Sequence, residues 1–208
     1  MCRAISGIAV RVDDATVAIK TLRHSDSHEE IRKAHGIGDT NQLHRFQTPI
    51  ELVPVGDVDI RSTAGWMFVF DASRPDWWTE DMTRQAREQL DAAWKVRWDG
   101  DTLHIGGDLD LGGLTSLPAN AKLSAGGDLD LGWLTSLPAG AKLSAGGSLD
   151  LGGLTSLPED AKLSAGCNLY LRSLTALPAR YTPICQEYVL ADGTWRTGRK
   201  TQQKEARP

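Results

Sequence analysis

Hydrophobic and polar positions follow a strict repeat in the second half of this chain. Segments of alternating polar residues and leucines, Asp-Leu-Asp-Leu in the first two units, return every twenty residues between Gly106 and Cys185. A period of this length is typical of a solenoid, because one coil cannot bury its own apolar edge without a neighbour stacked on it. The repeat therefore predicts a short parallel β-solenoid of about four coils, read as GGDLDLGGLTSLPANAKLSA, GGDLDLGWLTSLPAGAKLSA, GGSLDLGGLTSLPEDAKLSA and the degenerate GCNLYLRSLTALPARYTPIC.

Four leucine columns define the predicted interior of this solenoid. They begin at Leu109, Leu111, Leu114 and Leu117 in the first unit. Period-two alternation turns the leucines inward and the acids outward. The segment 122–125 predicts a second short strand in each coil. Gly-Gly and Leu-Pro mark the corners, where a free or a fixed φ is expected to be needed.

The first hundred residues have a different pattern, which predicts a small α+β domain. Segments 4–12 and 16–22 are apolar and β-branched, and they predict a hairpin. Ser27 to Glu30 has the form of a capping box and predicts a short helix. The segment 43–55, interrupted by prolines, predicts an irregular edge strand, and 65–71 predicts a central strand.

A second and better helix is predicted over residues 79–95. Met82, Ala86, Leu90 and Trp94 recur every four positions, so they form a stripe that covers one face of the sheet. The tryptophans of this region can be interpreted as core or as a ligand-stacking platform, and clustered aromatics beside a helix favour the core. They are Trp77, Trp78, Trp94 and Trp98.

Changes in composition and in hydrophobic pattern divide the chain into three predicted parts: an α+β domain (1–100), the solenoid (101–185) and a C-terminal cap with a disordered basic tail (186–208). The end of the first domain is expected to cap the first coil, because an open coil would expose an apolar edge. Residues 188–190 and Trp195 are expected to cover the other end.

Composition excludes several classes of function. The formal net charge is −4, and no part of the chain has the strong basic excess of a nucleic-acid-binding protein. No apolar run approaches a membrane span or a secretory signal, so we expect a cytoplasmic protein without membrane contact. Cys2, Cys167 and Cys185 lack metal-type spacing, so no disulfide framework, metal site or cofactor is predicted.

Two columns of acids face outward from the solenoid and are the predicted binding surface for a partner protein. Calcium is disfavoured, because the Gly-Gly-x-Gly-x-Asp turn of calcium-binding solenoids is missing. DNA mimicry is disfavoured too. A duplex as long as the four-coil stack, about 19 Å, carries about eleven phosphates, whereas the two columns have five acids. Trp133 is expected either to anchor the partner or to pack on the N-terminal domain. The candidate acids are Asp108 and Asp128 in one column and Asp110, Asp130 and Asp150 in the other.

An alternative hypothesis starts from Cys2. Removal of Met1 would leave a free amine beside a thiol, which is the arrangement of an N-terminal nucleophile. The start resembles the amidotransferases of the glutaminase class, which begin MCGI, although Arg3 and Ala4 replace Gly and Ile and the domain is too short for that fold. His28 would be the base, with Asp26, Glu29 or Glu30 to orient it.

The solenoid units resemble the twenty-residue leucine-rich repeats of bacterial effector proteins through their LTSLP segments, at 114–118, 134–138 and 154–158. The resemblance implies a leucine-rich-repeat-like β-solenoid. The chain departs from it after the strand, where an Asn or Cys is usual and Gly112, Gly132, Gly152 and Arg172 stand here.

The N-terminal part resembles a group of phage and prophage proteins that begin MCKAIS, carry SDSHEEI and append diverse repeat arrays. Here the corresponding segments are MCRAIS and residues 25–31. This resemblance implies a phage or prophage gene in a bacterial host, and it implies no reaction. The sequence as a whole favours an interaction module that modulates or inhibits a host defence protein. The alternatives are a Cys2-dependent hydrolase or amidotransferase whose repeats select the target, and a structural virion component.

Overall fold

A computed structural model describes residues 5–23, 25–38 and 46–199 of the chain. The first part is a four-stranded antiparallel sheet of order β2-β1-β3-β4 with two helices. Helix α1 contacts β1, and helix α2 contacts β1 and β2. The elements are β1 (Ile5–Arg11), β2 (Val17–Lys20), α1 (His28–Ala34), β3 (Gln47–Val53), β4 (Met67–Phe70) and α2 (Glu80–Arg97).

The predicted hairpin and both predicted helices are present. Strands β1 and β2 pair antiparallel. Helix α1 begins at the predicted cap, where Ser27 Oγ accepts from Glu30 N at 3.4 Å, and helix α2 begins after Thr79, whose Oγ1 accepts from Met82 N at 3.2 Å. These side chains satisfy backbone amides that have no partner inside the helix.

The predicted positions of β3 and β4 are wrong, because β3 is central and β4 is the edge strand. Pro49 had suggested that β3 lies at an edge. The Pro49 carbonyl accepts from Asp71 N at 3.4 Å, just beyond the end of β4. Since the N–H and C=O of one residue face the same neighbour in an antiparallel ladder, the missing N–H of Pro49 also falls outside the β3–β4 pairing.

Helix α2 buries the predicted stripe against the sheet. Met82, Ala86, Leu90 and Trp94 are all fully buried. The core interpretation of the tryptophans is confirmed for Trp78 and Trp94, which are buried, while Trp77 and Trp98 are partly buried and pack on the core. Among the described residues, neither helix has the long apolar run that crossing a membrane requires.

After α2 the chain forms a β-solenoid of about four turns, with two sheets whose strands are parallel except at one edge of each sheet. One sheet holds β5 (Trp98–Asp99), β6 (Thr102–Ile105), β8 (Lys122–Ala125), β10 (Lys142–Ala145) and β12 (Lys162–Ala165). The other holds β7 (Leu109–Asp110), β9 (Leu129–Asp130), β11 (Leu149–Asp150), β13 (Asn168–Tyr170), β14 (Glu187–Val189) and β15 (Trp195–Thr197).

The predicted leucine columns form the interior of the solenoid. Leu109 pairs in register with Leu129, and Leu149 pairs with Leu129 and Leu169. All of the predicted column leucines are buried except Leu177, which is partly buried. This interior continues into the core of the first part without a break.

The Gly-Gly corners have a different cause from the predicted one. The first glycine of each pair does not adopt a positive φ. A Cβ on Gly146 would lie 2.0 Å from the carbonyl oxygen of Gly126, and a Cβ on Gly126 would lie 2.0 Å from that of Gly106. The column is therefore glycine because successive coils approach too closely for any side chain.

Both ends of the solenoid carry the predicted caps. At the first coil, β5 pairs antiparallel with β6. The last coil is extended by β14, which pairs with β13, and by β15, which pairs with β14. The first part also joins the solenoid directly, because Gly56 N donates to Gly113 O at 2.7 Å and Thr115 N donates to Gly56 O at 2.8 Å.

Candidate functional site

A groove of about 630 Å³ lies where the sheet of the first part meets the solenoid. Val55 and Met67 line it on the sheet side, and Trp133 lines it on the solenoid side. These three apolar side chains are 46%, 50% and 65% exposed. One of the two predicted acid columns, Asp110, Asp130 and Asp150, lines the same groove. We call this column the acid row.

Local turns hold the carboxylates of the acid row in place. Each aspartate accepts a hydrogen bond through Oδ1 from the amide two residues later, as in an Asx-turn. The distances are 2.9 Å to Gly112 N, 2.8 Å to Gly132 N and 2.7 Å to Gly152 N. Parallel pairing sets Asp130 beside Asp110 and Asp150, so the carboxylates repeat at the spacing of neighbouring strands, about 4.8 Å.

The acid row has an electrostatic cost that a cation would relieve. Burial raises the pKa of Asp150 above its ordinary value, and the neighbouring Asp130 carboxylate acts in the same direction. The Gly152 amide and Arg172 oppose this shift in pKa. Arg172 Nη1 lies 3.8 Å from Asp150 Oδ2, and its guanidinium carbon lies 4.4 Å from the centre of the Tyr170 ring. Among the described residues that line the groove, Arg172 is the one basic side chain beside three aspartates, so negative charge dominates there.

The other predicted acid column does not line the groove. Asp108 Oδ1 accepts from Asp128 N at 2.8 Å, and Asp128 Oδ1 accepts from Ser148 N at 2.6 Å. These carboxylates bind amides of the next coil and lie over its glycines, since a Cβ on Gly127 would meet Asp108 Oδ1 at 2.0 Å. Asp108 and Asp128 therefore link one coil to the next, whereas Asp110, Asp130 and Asp150 accept from amides of their own coil and line the groove.

Trp133 stands in a column that is otherwise Gly113, Gly153 and Ser173. Gly113 cannot carry a side chain, because its Cβ would lie 2.6 Å from Pro54 O, where the first part crosses the solenoid. Trp133 lies one coil further on and is 65% exposed. That exposure favours the anchor interpretation of Trp133 over the packing interpretation.

A second cluster surrounds His28, the first residue of α1. His28 Nδ1 lies 2.7 Å from Asp71 Oδ2, and His28 Nε2 lies 3.4 Å from Ile50 O. Glu51 completes the cluster from β3, with ligand atoms of all three side chains within 4.8 Å of one another. Ser6 Oγ, the cross-strand neighbour on β1, is 3.4 Å from Glu51 Oε1.

Burial controls the charge of this cluster. His28 and Glu51 are each 6% exposed, whereas the side chain of Asp71 is 38% exposed. Burial lowers the pKa of His28, and the Asp71 carboxylate opposes that effect. His28 therefore favours its neutral form at neutral pH, in which one ring nitrogen is a donor and the other an acceptor.

The prediction that Asp26, Glu29 or Glu30 orients His28 is wrong. Asp26 Oδ1 instead lies 2.7 Å from Arg97 Nη1, in a fully buried ion pair. Glu29 and Glu30 are exposed. The carboxylate beside His28 is Asp71, which is 43 positions later in the chain. Cys2, the predicted nucleophile, lies outside the described residues.

Sequence reasoning missed Glu51 and Asp71. Glu51 had a signal, because it is a single acid among the apolar residues Ile50, Leu52 and Val53 at the end of its strand. Such a residue is seldom buried without a partner. Asp71 had no such signal in the sequence, because its contact with His28 depends on the pairing of β3 with β4.

Comparison with protein-family models, with curated proteins and with solved structures gave no match to this chain.

Proposed function

We propose that this protein is an interaction module that binds an extended segment of a partner protein in the groove. The observation that carries the proposal is the meeting of the acid row with three exposed apolar side chains, Val55, Met67 and Trp133, in one concave surface. Exposed apolar groups that cluster beside charges mark binding surfaces, and tryptophan is enriched among the residues that dominate binding energy.

The chemistry of the groove defines the segment that fits it. Three carboxylates face one guanidinium, so the segment should carry Lys or Arg. The apolar walls require leucine-like or aromatic side chains next to those cations. Since side chains of an extended segment alternate from face to face, a run of alternating basic and apolar residues can serve both surfaces.

The resemblance of the N-terminal part to phage and prophage proteins supports a setting for this activity. We infer that the segment belongs to a bacterial host protein, such as a defence protein that the module modulates or inhibits. The units that carry the acid row are, in this proposal, leucine-rich-repeat-like coils, and their repetition supplies carboxylates at a regular spacing.

The test uses fluorescent synthetic decapeptides of alternating Lys and Leu, with Glu in place of Lys in the control peptide. We expect the Lys peptide to bind, and the pair Asp130→Asn and Asp150→Asn to weaken binding about tenfold or more at 0.15 M salt, measured by fluorescence anisotropy. Trp133→Gly, which restores the glycine of the neighbouring units, should weaken binding comparably without a change in fold.

The matched control removes the same number of charges outside the groove. Asp108→Asn with Asp128→Asn keeps an oxygen that accepts the next coil's amide, and it should leave binding within about twofold of the original protein. An equal loss of peptide affinity in the two double variants would show that the net charge of the protein, and not the acid row, determines binding. Equal binding of the Glu peptide would contradict the groove proposal.

A second candidate is the Cys2-dependent hydrolase or amidotransferase. The observation in its favour is the 2.7 Å contact of His28 with Asp71, which is how a carboxylate orients a general base. The test is the alkylation rate of Cys2 by iodoacetamide, compared by mass spectrometry with exposed Cys167. An activated Cys2 should react faster than Cys167 and lose that advantage in His28→Gln. Equal rates, or a retained Met1, would eliminate this candidate.

A further inference from the structure

The cluster of His28, Glu51 and Asp71 has the side chains of a metal site, and neither proposed function requires a metal. It brings one imidazole and two carboxylates from three separate elements to one point: the start of α1, the middle of β3 and the residue after β4. Ligand atoms of the three side chains lie within 4.8 Å of one another. Two of these side chains are buried, so their arrangement is held by the packing of the sheet against α1.

We propose that His28, Glu51 and Asp71 bind a divalent transition-metal ion, with Zn²⁺ the ion that best suits this set of ligands. Neutral imidazole and carboxylate are both ligands of zinc. Magnesium and calcium prefer sites built from oxygen alone, so the histidine disfavours them. Three protein ligands leave a fourth tetrahedral position for water or another ligand, as in zinc sites that are not purely structural.

The distances in the cluster fit an ion after a small adjustment. Ligand atoms around a tetrahedral zinc ion are about 3.3 Å apart, as follows from metal–ligand distances near 2.0 Å. His28 Nδ1 and Asp71 Oδ2 are 2.7 Å apart, which is the separation of a hydrogen bond. The ion would take the place of the proton between these two atoms and move them apart by about 0.6 Å. Asp71 can make this shift, because its side chain is partly exposed.

The surroundings of the ligands also fit a metal site. Histidine ligands usually donate their second ring N–H to a carbonyl or carboxylate. A neutral imidazole has one N–H, so His28 can donate either to Asp71 or to Ile50 O, which is 3.4 Å from Nε2. A cation at Nδ1 allows Nε2–H to donate to Ile50 O. Glu51 has a similar supporting hydrogen bond, because Ser6 Oγ–H donates to its Oε1 at 3.4 Å.

The exposure of Asp71 gives the ion a path from solvent, which a fully enclosed cluster would lack. The metal also competes with the second candidate function. An ion on Nδ1 uses the electron pair of His28 and replaces its hydrogen bond to Asp71, so His28 can no longer act as a base oriented by that carboxylate. The groove proposal is independent of this site.

The experiment is a calorimetric titration of ZnCl₂ into the full chain after treatment with a chelator. It is run in a Cys2→Ser, Cys167→Ser background, because accessible thiolates bind Zn²⁺ themselves. We expect one Zn²⁺ per chain and a higher thermal unfolding midpoint in its presence. Co²⁺ should give the visible absorption of a low-symmetry site, and Mg²⁺ in millimolar excess should not displace Zn²⁺.

Asp71→Asn is the decisive variant, because this side chain is partly exposed and its loss should not disturb folding. It should weaken Zn²⁺ binding about tenfold or more. The matched control is Asp59→Asn, which removes an exposed, ion-paired carboxylate elsewhere in the first part and should leave the affinity unchanged. His28→Gln should abolish binding if circular dichroism shows that it folds. The proposal is overturned if Zn²⁺ does not bind, or if Asp71→Asn binds it as tightly as the parent chain.

Discussion

The two regions of this molecule bury different chemistry. The buried polar and charged side chains of the described residues all lie in the first hundred positions, and they include Ser6, Asp26, His28, Glu51 and Arg97. The solenoid interior is apolar and consists mainly of leucine and alanine, with Ile105 and Cys185, and its charges are on the surface. The first region therefore depends on a few specific polar contacts, whereas the solenoid depends on the repetition of one packing arrangement.

This difference determines how each region can carry function. A buried polar cluster can hold reactive groups in a defined geometry, but each of its contacts involves residues that are far apart in the chain. A solenoid presents the same surface group once per coil, so it forms rows such as Asp110, Asp130 and Asp150. The groove lies where the two regions meet and uses side chains from both.

The largest expected effect concerns the buried ion pair of the first region. Arg97→Met removes the cation that lies 2.7 Å from Asp26 and leaves a buried carboxylate without a counter-charge. Loss of one partner of a buried pair costs about 3–5 kcal/mol, so chemical denaturation should show a loss of unfolding free energy of this size at pH 7. Adding Asp26→Asn to Arg97→Met should restore most of the loss. A loss below about 1 kcal/mol would contradict the prediction.

The pH dependence of the same pair provides a check with a defined sign. Burial raises the pKa of Asp26 to about 6, although Arg97 opposes the shift, and Asp26 Oδ2 has no hydrogen-bond partner among the described residues. Because this pKa is above the unfolded value of about 3.9, the stability contributed by Asp26 is complete below pH 3.9 and is lost as pH rises through 6. Relative to Asp26→Asn, the parent chain should gain about 2 kcal/mol between pH 7 and pH 4, where the unfolded carboxyl is already about half protonated.

The solenoid could be predicted from sequence because its interactions are between nearest neighbours. A repeat places each leucine beside its own copy, so one unit contains the information for the whole stack. The first region could be predicted only in part. Its hairpin and helix caps depend on residues close in sequence, such as Ser27 and Glu30, and these predictions are confirmed.

The order of its strands and the His28 cluster depend on contacts between distant segments. Pro49 suggested an edge strand, but its missing N–H faces a place where β4 has already ended. Asp71 reaches His28 only because β4 pairs with β3 in one particular register. Neither fact leaves a local pattern in the sequence. For the same reason the groove itself was not predicted: the acid row and Trp133 are visible in the repeat, whereas Val55 and Met67 come from the other region.

A smaller effect should distinguish the solenoid from the first region. Gly146→Ala adds a Cβ that would lie 2.0 Å from the carbonyl oxygen of Gly126. This contact is with backbone, so the coils must separate locally to relieve it, and the unfolding free energy should fall by about 1–3 kcal/mol. Circular dichroism during urea denaturation measures the loss.

The control is Gly38→Ala in the first region, where an added Cβ has no atom of the described residues within 4 Å. It should change the unfolding free energy by no more than about 0.5 kcal/mol in either direction. Because the Gly126, Gly146 and Gly166 column repeats the same close approach, Gly126→Ala should cost about as much as Gly146→Ala. If both substitutions were neutral, close stacking of the coils would not be what requires glycine, and the Gly-Gly corners would need another explanation.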